Sequence, residues 1–273
     1  MAVDLTRFAV PGEAPPFSDQ TLVDVRAGRA TVVGDERGVA VVRDGEVELA
    51  VGLEERGRGL GTALATQVLG TGGGAAPVAG PAPRLAWAHG DHPAARALAA
   101  RFGWTAVRTL LQLRAPIAAA APDPAVPDGY SLSAFRAGDP GDEADWLALN
   151  AAAFAHHPEQ GRMTLEDLRA READDWFSGD DLLLLRDPDG QLAGSCWLKV
   201  EDGIGEFYAV AVRPDLQGQR IGGVLMRAGT ARLTGRGLTA AALYVEGDNE
   251  PALALYRRSG FEQHAIDVQY AAP

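Results

Sequence analysis

The sequence predicts an α/β (α+β) architecture used twice: two tandem units, each a mixed, mostly antiparallel sheet flanked by helices. Three observations carry this. First, "ERGRGLGTAL" at Glu55–Leu64 lines up with "LQGQRIGGVL" at Leu216–Leu225, at an offset of 161 residues. "HGDHPAARALAARFGW" at His89–Trp104 then lines up without a gap on "EGDNEPALALYRRSGF" at Glu246–Phe261, at an offset of 157. Two ordered matches at nearly equal offsets are an internal repeat, with a slightly longer connection in the first copy. Second, "QLAGSCWLKV" and "GEFYAVAVR" alternate like strands and are joined by "EDGI", whose Asp-Gly is a strong hairpin signal. Third, a glycine-rich turn precedes a helical pattern in each copy, with Ile221, Val224, Leu225 and Ala228 at helical spacing in the second.

In chain order, the first unit covers 1–115. It opens on "MAVDLTRFAVPGEAPP", where no charged segment leads into an apolar one, so no secretory leader is expected. The turn "RGRGLGTAL" at Arg56–Leu64 leads into its first repeat helix, and "GTGGGAAPVAGPAP" at Gly70–Pro83 reads as a surface loop. "APIAAAAPDPAVPDG" at Ala115–Gly129 has four prolines and no apolar period, so 116–128 is expected to be an extended linker. The second unit, 129–273, carries the two strands above, the turn at Gln217–Gly223 and a further strand, "AALYVEG". "NEPALALYRRSGF" is a helix ending at Gly260, a residue suited to a left-handed cap.

Composition excludes several classes. No run of 18 apolar residues is present, so no membrane span is expected. A net charge of −12 argues against nucleic-acid binding, which depends on basic contacts to phosphate. Cys196 is the single cysteine, so no internal disulfide can form and a reducing, cytoplasmic setting is expected. The basic residues are almost all arginine; Lys199 is the single lysine. His156 and His157 are adjacent, without the spacing of a metal site, and no metal is expected.

The chemistry-bearing stretches read as follows. "RGRGLG" has neither the lysine of a Walker loop nor the third glycine of a dinucleotide fingerprint. It is either a surface turn or an anion cradle at a helix N-terminus. A two-residue Asp202-Gly203 turn places Glu206 directly opposite Lys199, and alternation puts Glu206 on one face with Tyr208 and Val210. A cross-strand ion pair is the plain explanation.

These motifs resemble the GNAT (Gcn5-related N-acetyltransferase) family. Its acyl-CoA motif, [RQ]-x-x-G-x-[GA], is matched in full by Arg56, Gly59 and Gly61, and by Gln217 and Gly222 in the second copy, where Arg220 stands in place of glycine. The run Asn249 through Tyr256 to Gly260-Phe261 is similar to the family's other signature. The resemblance covers both halves and implies an acetyl-CoA-dependent N-acetyltransferase, a tandem pair of such units forming a monomer. Within it, "NAAAFAHHPEQGRMT", "WLKV", "GEFYAVAVRP" and the terminal "DVQYA" resemble a branch whose acceptor is the cysteinyl amine of cysteinyl-glucosaminyl-inositol.

What the resemblance implies residue by residue is this. Glu206 is the candidate base and Tyr256 the candidate acid, while Asp19, Glu159, Lys199, Glu206 and Tyr244 are expected to hold the acceptor. Acetyl-CoA is expected along Val210, Ala211 and Val212, over Gln217, Gly218, Gln219, Arg220, Ile221, Gly222 and Gly223, and at Asn249. In the first copy the corresponding residues are Leu49, Ala50, Val51, Arg56, Gly57, Arg58, Gly59 and Gly61. In the ungapped repeat Tyr256 aligns with Ala99, Glu206 with Gly45 and Tyr208 with Val47. The first unit is therefore expected to lack the chemistry and to be structural or cofactor-holding. A tandem GNAT acting on another amine, and an acyl-CoA-binding protein that transfers nothing, are the alternatives.

Overall fold

The computed structural model describes residues 3–70, 82–155 and 160–273, with nothing described for the side chains of Asp19 and Gln160. By contacts the chain forms two units. The first comprises Met1–Leu111, Glu246–Asp248 and Ala265–Pro273, the second Gln112–Val245 and Asn249–His264.

In the first unit, helix α1 (Asp19–Arg26) precedes a meander of β1 (Thr31–Asp35), β2 (Gly38–Arg43) and β3 (Glu46–Val51). Neighbours in the meander are antiparallel. The turn between β2 and β3 is Asp44-Gly45, both with positive φ, the backbone that a tight hairpin of right-twisted strands requires. Helix α2 (Leu60–Leu69) returns the chain to β4 (Leu85–His89), which runs parallel to β3. Helix α3 (Pro93–Phe102) then leads into β5 (Thr105–Pro116). Apolar alternation along β2 fills both faces: Val39 and Val41 pack with Leu5, Phe8 and Phe17, while Ala40 packs with Val47, Leu64 and Val68.

The second unit opens with β6 (Ser131–Ala134), helices α4 (Pro140–Ala153) and α5 (Leu165–Glu172), and strands β7 (Leu182–Arg186), β8 (Leu192–Glu201) and β9 (Ile204–Val212). These four strands form an antiparallel sheet in chain order. Helix α6 (Ile221–Gly235) crosses to β10 (Ala240–Glu246), parallel to β9, and helix α7 (Glu250–Arg258) leads into β11 (Glu262–Ala271). Trp146 of α4 meets Trp197 of β8 edge-to-face, 5.1 Å between centroids, at the centre of a core with Leu168, Leu182 and Leu184.

The contact division departs from a linear split at the proline-rich stretch. Asp267–Ala271 of β11 pair antiparallel with Leu85–His89 of β4, so the last strand of the chain closes the first unit. Gln112–Pro116, the end of β5, belong to the second unit. Residues 117–128 carry no helix or strand, but they are tied to the second unit. Ile117 N–H donates to the Thr239 carbonyl (2.9 Å) and Arg227 Nε to the Pro124 carbonyl (3.1 Å). Most of the Gly70–Pro83 loop lies outside the described residues.

One buried polar cluster joins four elements of the first unit. Glu48, 3% exposed on β3, accepts from the Ser18 N–H (3.0 Å), Ser18 Oγ (2.9 Å) and Thr21 Oγ1 (2.9 Å). His89 at the end of β4 stands between two carboxylates, Nε2 3.6 Å from Glu48 and Nδ1 3.3 Å from Asp267 of β11. Burial opposes the imidazolium, but Asp267 and Glu48 outweigh it and raise the His89 pKa from 6.5 to about 9. Because the folded value exceeds the unfolded one, this contribution is complete below pH 6.5 and is lost as pH rises through 9. A shift of that size is worth about 3 kcal/mol at most. Urea titrations should show stability falling between pH 6.5 and 9.5, and His89→Gln should flatten that slope; an unchanged slope would show that the imidazole carries no charge there.

Candidate active site

The site begins with the β8–β9 hairpin. Asp202 and Gly203 both have positive φ (50° and 75°), and the register that follows pairs Glu201 with Ile204, Val200 with Gly205 and Lys199 with Glu206. The expected Lys199–Glu206 opposition is present. Farther along, Trp197 pairs with Ala209 and Leu198 with Phe207, which leaves Tyr208 with no opposite residue. This β-bulge shifts the faces. Glu206, Tyr208 and Ala209 share the face of Lys199 and Trp197, whereas Val210, opposite Cys196, turns to the other face. Simple alternation, which grouped Val210 with Glu206, fails there because one extra residue has been inserted. The ring of Tyr208 lies 5.3 Å from those of Trp176 and Trp197.

The same bulge corrects the repeat alignment. Strand β10 pairs with β9 at two positions, Ala241 with Gly205 and Ala242 with Glu206. Strand β4 pairs with β3 at two positions as well, Leu85 with Glu46 and Ala86 with Val47. Leu85 and Ala242 are equivalent at the offset of 157, and Glu46 faces Arg43 as Glu206 faces Lys199. The counterpart of Glu206 is therefore Glu46, not Gly45. The first copy does have the strand carboxylate. There, however, it is occupied: Glu46 lies 3.4 Å from Arg43 Nη2 and accepts from Gln269 Nε2 (2.9 Å).

Glu206 is different. It is half-buried, and among the described residues no hydrogen bond reaches it. Burial pushes its pKa above the ordinary 4.5; Lys199 opposes this and Glu201 adds to it. The Lys199 ammonium is 2.7 Å from Glu201 Oε2 and sits over the Trp176 ring, 5.3 Å from its centroid. Tyr244, two residues beyond Ala242 on β10 and 47% exposed, lies on the same face, and its hydroxyl accepts from Gln112 Nε2 (2.7 Å). Tyr256 is on α7 with its ring 6.2 Å from Phe261, and burial, with Cys196 nearby, pushes the phenol up to about 12. Burial likewise pushes the Cys196 thiol up, which keeps it an unreactive core group. Asn249 caps α7, its Oδ1 accepting from the Ala252 N–H (3.2 Å); His92 does the same for α3 through Nδ1 (3.1 Å).

The two glycine-rich turns have one geometry. Gly59 (φ 83°) caps α2 and Arg220 (φ 68°) caps α6, both left-handed. The residue opening each motif braces the turn against the preceding strand: Arg56 Nε donates to the Val51 carbonyl and Gln217 Nε2 to the Val212 carbonyl, each at 3.4 Å. Arg56 also makes a bidentate pair with Glu13 (2.7 and 2.8 Å), and Arg58 lies 3.3 Å from Glu55. At Gly222 the backbone of α6 comes close to α7: a Cβ there would fall 2.9 Å from Leu255 Cδ2, so that leucine would have to shift to admit a side chain. Ile221 is buried, so it faces the turn through backbone alone. Because β9 and β10 pair only at Gly205 and Glu206, the strand segment Val210–Val212 leads from the end of that ladder straight into the turn. Backbone groups and a helix N-terminus in this sequence suit a thioester arm carrying a pyrophosphate. Leu49, Ala50 and Val51 stand in the same relation to Gly57, Gly59 and Gly61.

Glu159, His156 and His157, and the side chain of Asp19, lie outside the described residues. Among the described residues no group of three or more His, Cys, Asp or Glu side chains could hold a metal ion, and no helix is long and apolar enough to cross a membrane. Sequence reasoning missed Trp176 and Glu201. Neither sits in a periodic pattern; only the position of Glu201, two residues from Lys199 on one strand, was available as a signal.

Residues 146–261 match the model of the acetyltransferase (GNAT) family. The chain is 48% identical over 269 residues to a mycothiol acetyltransferase of Clavibacter michiganensis subsp. michiganensis, covering 93% of this chain and 85% of that one. It is 43% identical to a mycothiol acetyltransferase of Kocuria rhizophila, covering 96% and 91%. Its fold matches a GCN5-related N-acetyltransferase from Sphaerobacter thermophilus with a TM-score of 0.74 at 22% identity, covering 97% of this chain and 89% of that one. It also matches a tandem GNAT protein from the clavulanic acid biosynthesis pathway, TM-score 0.64 at 18% identity, covering 98% and 92%.

Left-handed backbone costs a side-chain-bearing residue about 1–2 kcal/mol, while glycine loses about 0.5–1 kcal/mol in chain entropy. Arg220→Gly should therefore raise unfolding stability by about 0.5–1 kcal/mol in urea titration. If it destabilises instead, the arginine side chain contributes contacts that outweigh its strain.

Proposed function

Since this chain belongs to the mycothiol acetyltransferase family of GNAT proteins, we propose that it transfers acetyl from acetyl-CoA to the cysteinyl α-amine of cysteinyl-glucosaminyl-inositol, the last step of mycothiol synthesis. The observation that carries the assignment of roles is Glu206: a half-buried carboxylate without a hydrogen bond among the described residues, raised in pKa and set opposite the one lysine.

Acetyl-CoA supplies an activated thioester carbon and a thiolate leaving group. The acceptor is an α-amine with an ordinary pKa near 8, so a carboxylate of raised basicity suffices to take its proton, directly or through one water. As the N–C bond forms and the C–S bond breaks, that proton goes to Glu206 and returns to water afterwards. The Tyr256 phenol, kept neutral by burial, donates to the departing sulfur, and the phenolate then regains a proton from water, which closes the balance with the proton that Glu206 releases. Backbone N–H groups of Val210–Val212 are suited to the charge that develops on the thioester oxygen. Lys199 and Tyr244, with Asp19 and Glu159, are the proposed polar contacts for the acceptor sugar. Val210–Val212, the Gln217–Gly223 turn and Asn249 are the proposed cofactor contacts. We read residues 1–115 as the first GNAT-like domain, 116–128 as its linker and 129–273 as the catalytic domain. The first is non-catalytic because Ala99 replaces the phenol and Glu46 is already held by Arg43 and Gln269. Its turn at Arg56–Gly61 is proposed to hold acyl-CoA without transfer. The protein is expected to act as a cytoplasmic monomer on a small molecule, not on nucleic acid or at a membrane.

The test incubates the protein with acetyl-CoA and cysteinyl-glucosaminyl-inositol, beside an aminoglycoside and a peptide amine, and weighs the products by mass spectrometry. Selective N-acetylation of the cysteinyl acceptor is expected; transfer to another amine alone would keep the mechanism and discard the named acceptor. Glu206→Gln should lower kcat by about 100-fold or more, as loss of a general base does. Tyr256→Phe should slow turnover with acetyl-CoA affinity nearly intact, and loss of cofactor binding would make that tyrosine structural.

A further inference from the structure

Lys199 stands between two carboxylates on one face of the β8–β9 hairpin. Glu201 is two residues along the same strand, and Glu206 is directly across from Lys199. An ammonium is a compact charge on a flexible stem, and it can reach either. In this structure it lies 2.7 Å from Glu201 Oε2, with the Trp176 ring against it, and it makes no ion pair with Glu206. Glu201 is 56% exposed at its side chain, at the hairpin end, and holds up nothing in the core. Among the described residues its ion pair is with the lysine.

We infer that Glu201 is a positioning residue that competes with Glu206 for the Lys199 ammonium and so controls how much positive charge reaches the base. The inference rests on the reading of Glu206 as that base. A carboxylate fully paired with an ammonium would be a weak acceptor for the proton of an amine. By drawing Lys199 toward the hairpin end, Glu201 leaves Glu206 the stronger base, while the lysine remains close enough to meet the acceptor. The charged and titratable groups on this face are Lys199 and Glu201 from β8, Tyr208 from β9 itself and Tyr244 from β10. Trp176 contributes only its ring. Burial and Glu201 raise the Glu206 pKa while Lys199 lowers it, the signs that competition requires.

The test is Glu201→Gln. Removing its charge frees Lys199 for Glu206, so the acidic limb of the kcat/KM–pH profile should move to lower pH, by about half a unit or more at low salt and less at high salt. The shift is then measured again in a Lys199→Met background, following the Glu206 carboxyl directly by 13C NMR titration, with Glu206→Gln identifying the signal. A smaller shift without the lysine supports competition. Equal shifts in both backgrounds would leave only direct repulsion between carboxylates and overturn the inference, as would an unmoved or raised limb. The base assignment fails separately, if Glu206→Gln keeps full activity.

Discussion

Two residues of parallel pairing, Gly205 and Glu206 against Ala241 and Ala242, are the constraint on which the second unit's chemistry depends. A parallel ladder so short holds two strands at one end and leaves them unpaired beyond it. Two features of the candidate site follow from that fact. Glu206 is the last ladder residue, so its carboxyl sits where the strands begin to separate. The segment Val210–Val212 continues past the ladder, and its backbone polar groups are available on that side for a ligand that can satisfy them. The bulge at Tyr208 falls between the two, adding twist where pairing stops and moving Val210 off the face that Glu206 uses.

The first unit repeats much of this backbone. It repeats the two-residue ladder, the positive-φ hairpin turn, the braced glycine-rich turn and the capped helix. It even repeats the strand carboxylate. What separates the copies is the surroundings of that carboxylate. Glu46 is shared between Arg43 and a glutamine, whereas Glu206 faces a lysine already engaged elsewhere. Glu46 thus has two donors on its carboxylate, whereas burial raises the pKa of Glu206. Replacement of the phenol by Ala99 removes the second group. The copies diverged in charge placement on a common frame.

Much of this was legible in the sequence, for reasons that can be named. The Asp202-Gly203 turn dictates a two-residue hairpin, and the hairpin dictates that Lys199 faces Glu206. The offset matches locate both glycine-rich turns and both capped helices, because these are local features with local signals. The bulge was not legible. A bulge is one unpaired residue, and no residue type in "GEFYAVAV" demands it, so ungapped alignment set Glu206 on Gly45 and hid Glu46. The assignment of β11 to the first unit was also out of reach, since "DVQYA" pairs with Leu85–His89 some 180 residues earlier in the chain. Trp176 lacked any period, and the ring under Lys199 is a purely tertiary contact.

The opening residue of the glycine-rich motif holds the shape of the turn. Arg56 and Gln217 differ in charge yet do one job, donating a side-chain N–H to the carbonyl five residues back. The donor has to span a fixed turn, so either long side chain serves, and charge is incidental to that task. In the first unit Arg56 has its remaining donors on Glu13, which cancels its charge near the turn. What the two turns share is the N-terminus and dipole of the helix that follows, and these come with the backbone path. The left-handed residue before each helix makes that path possible. Glycine adopts it freely in one copy, and arginine adopts it at a cost in the other, leaving the second turn with a positive side chain where the first has none.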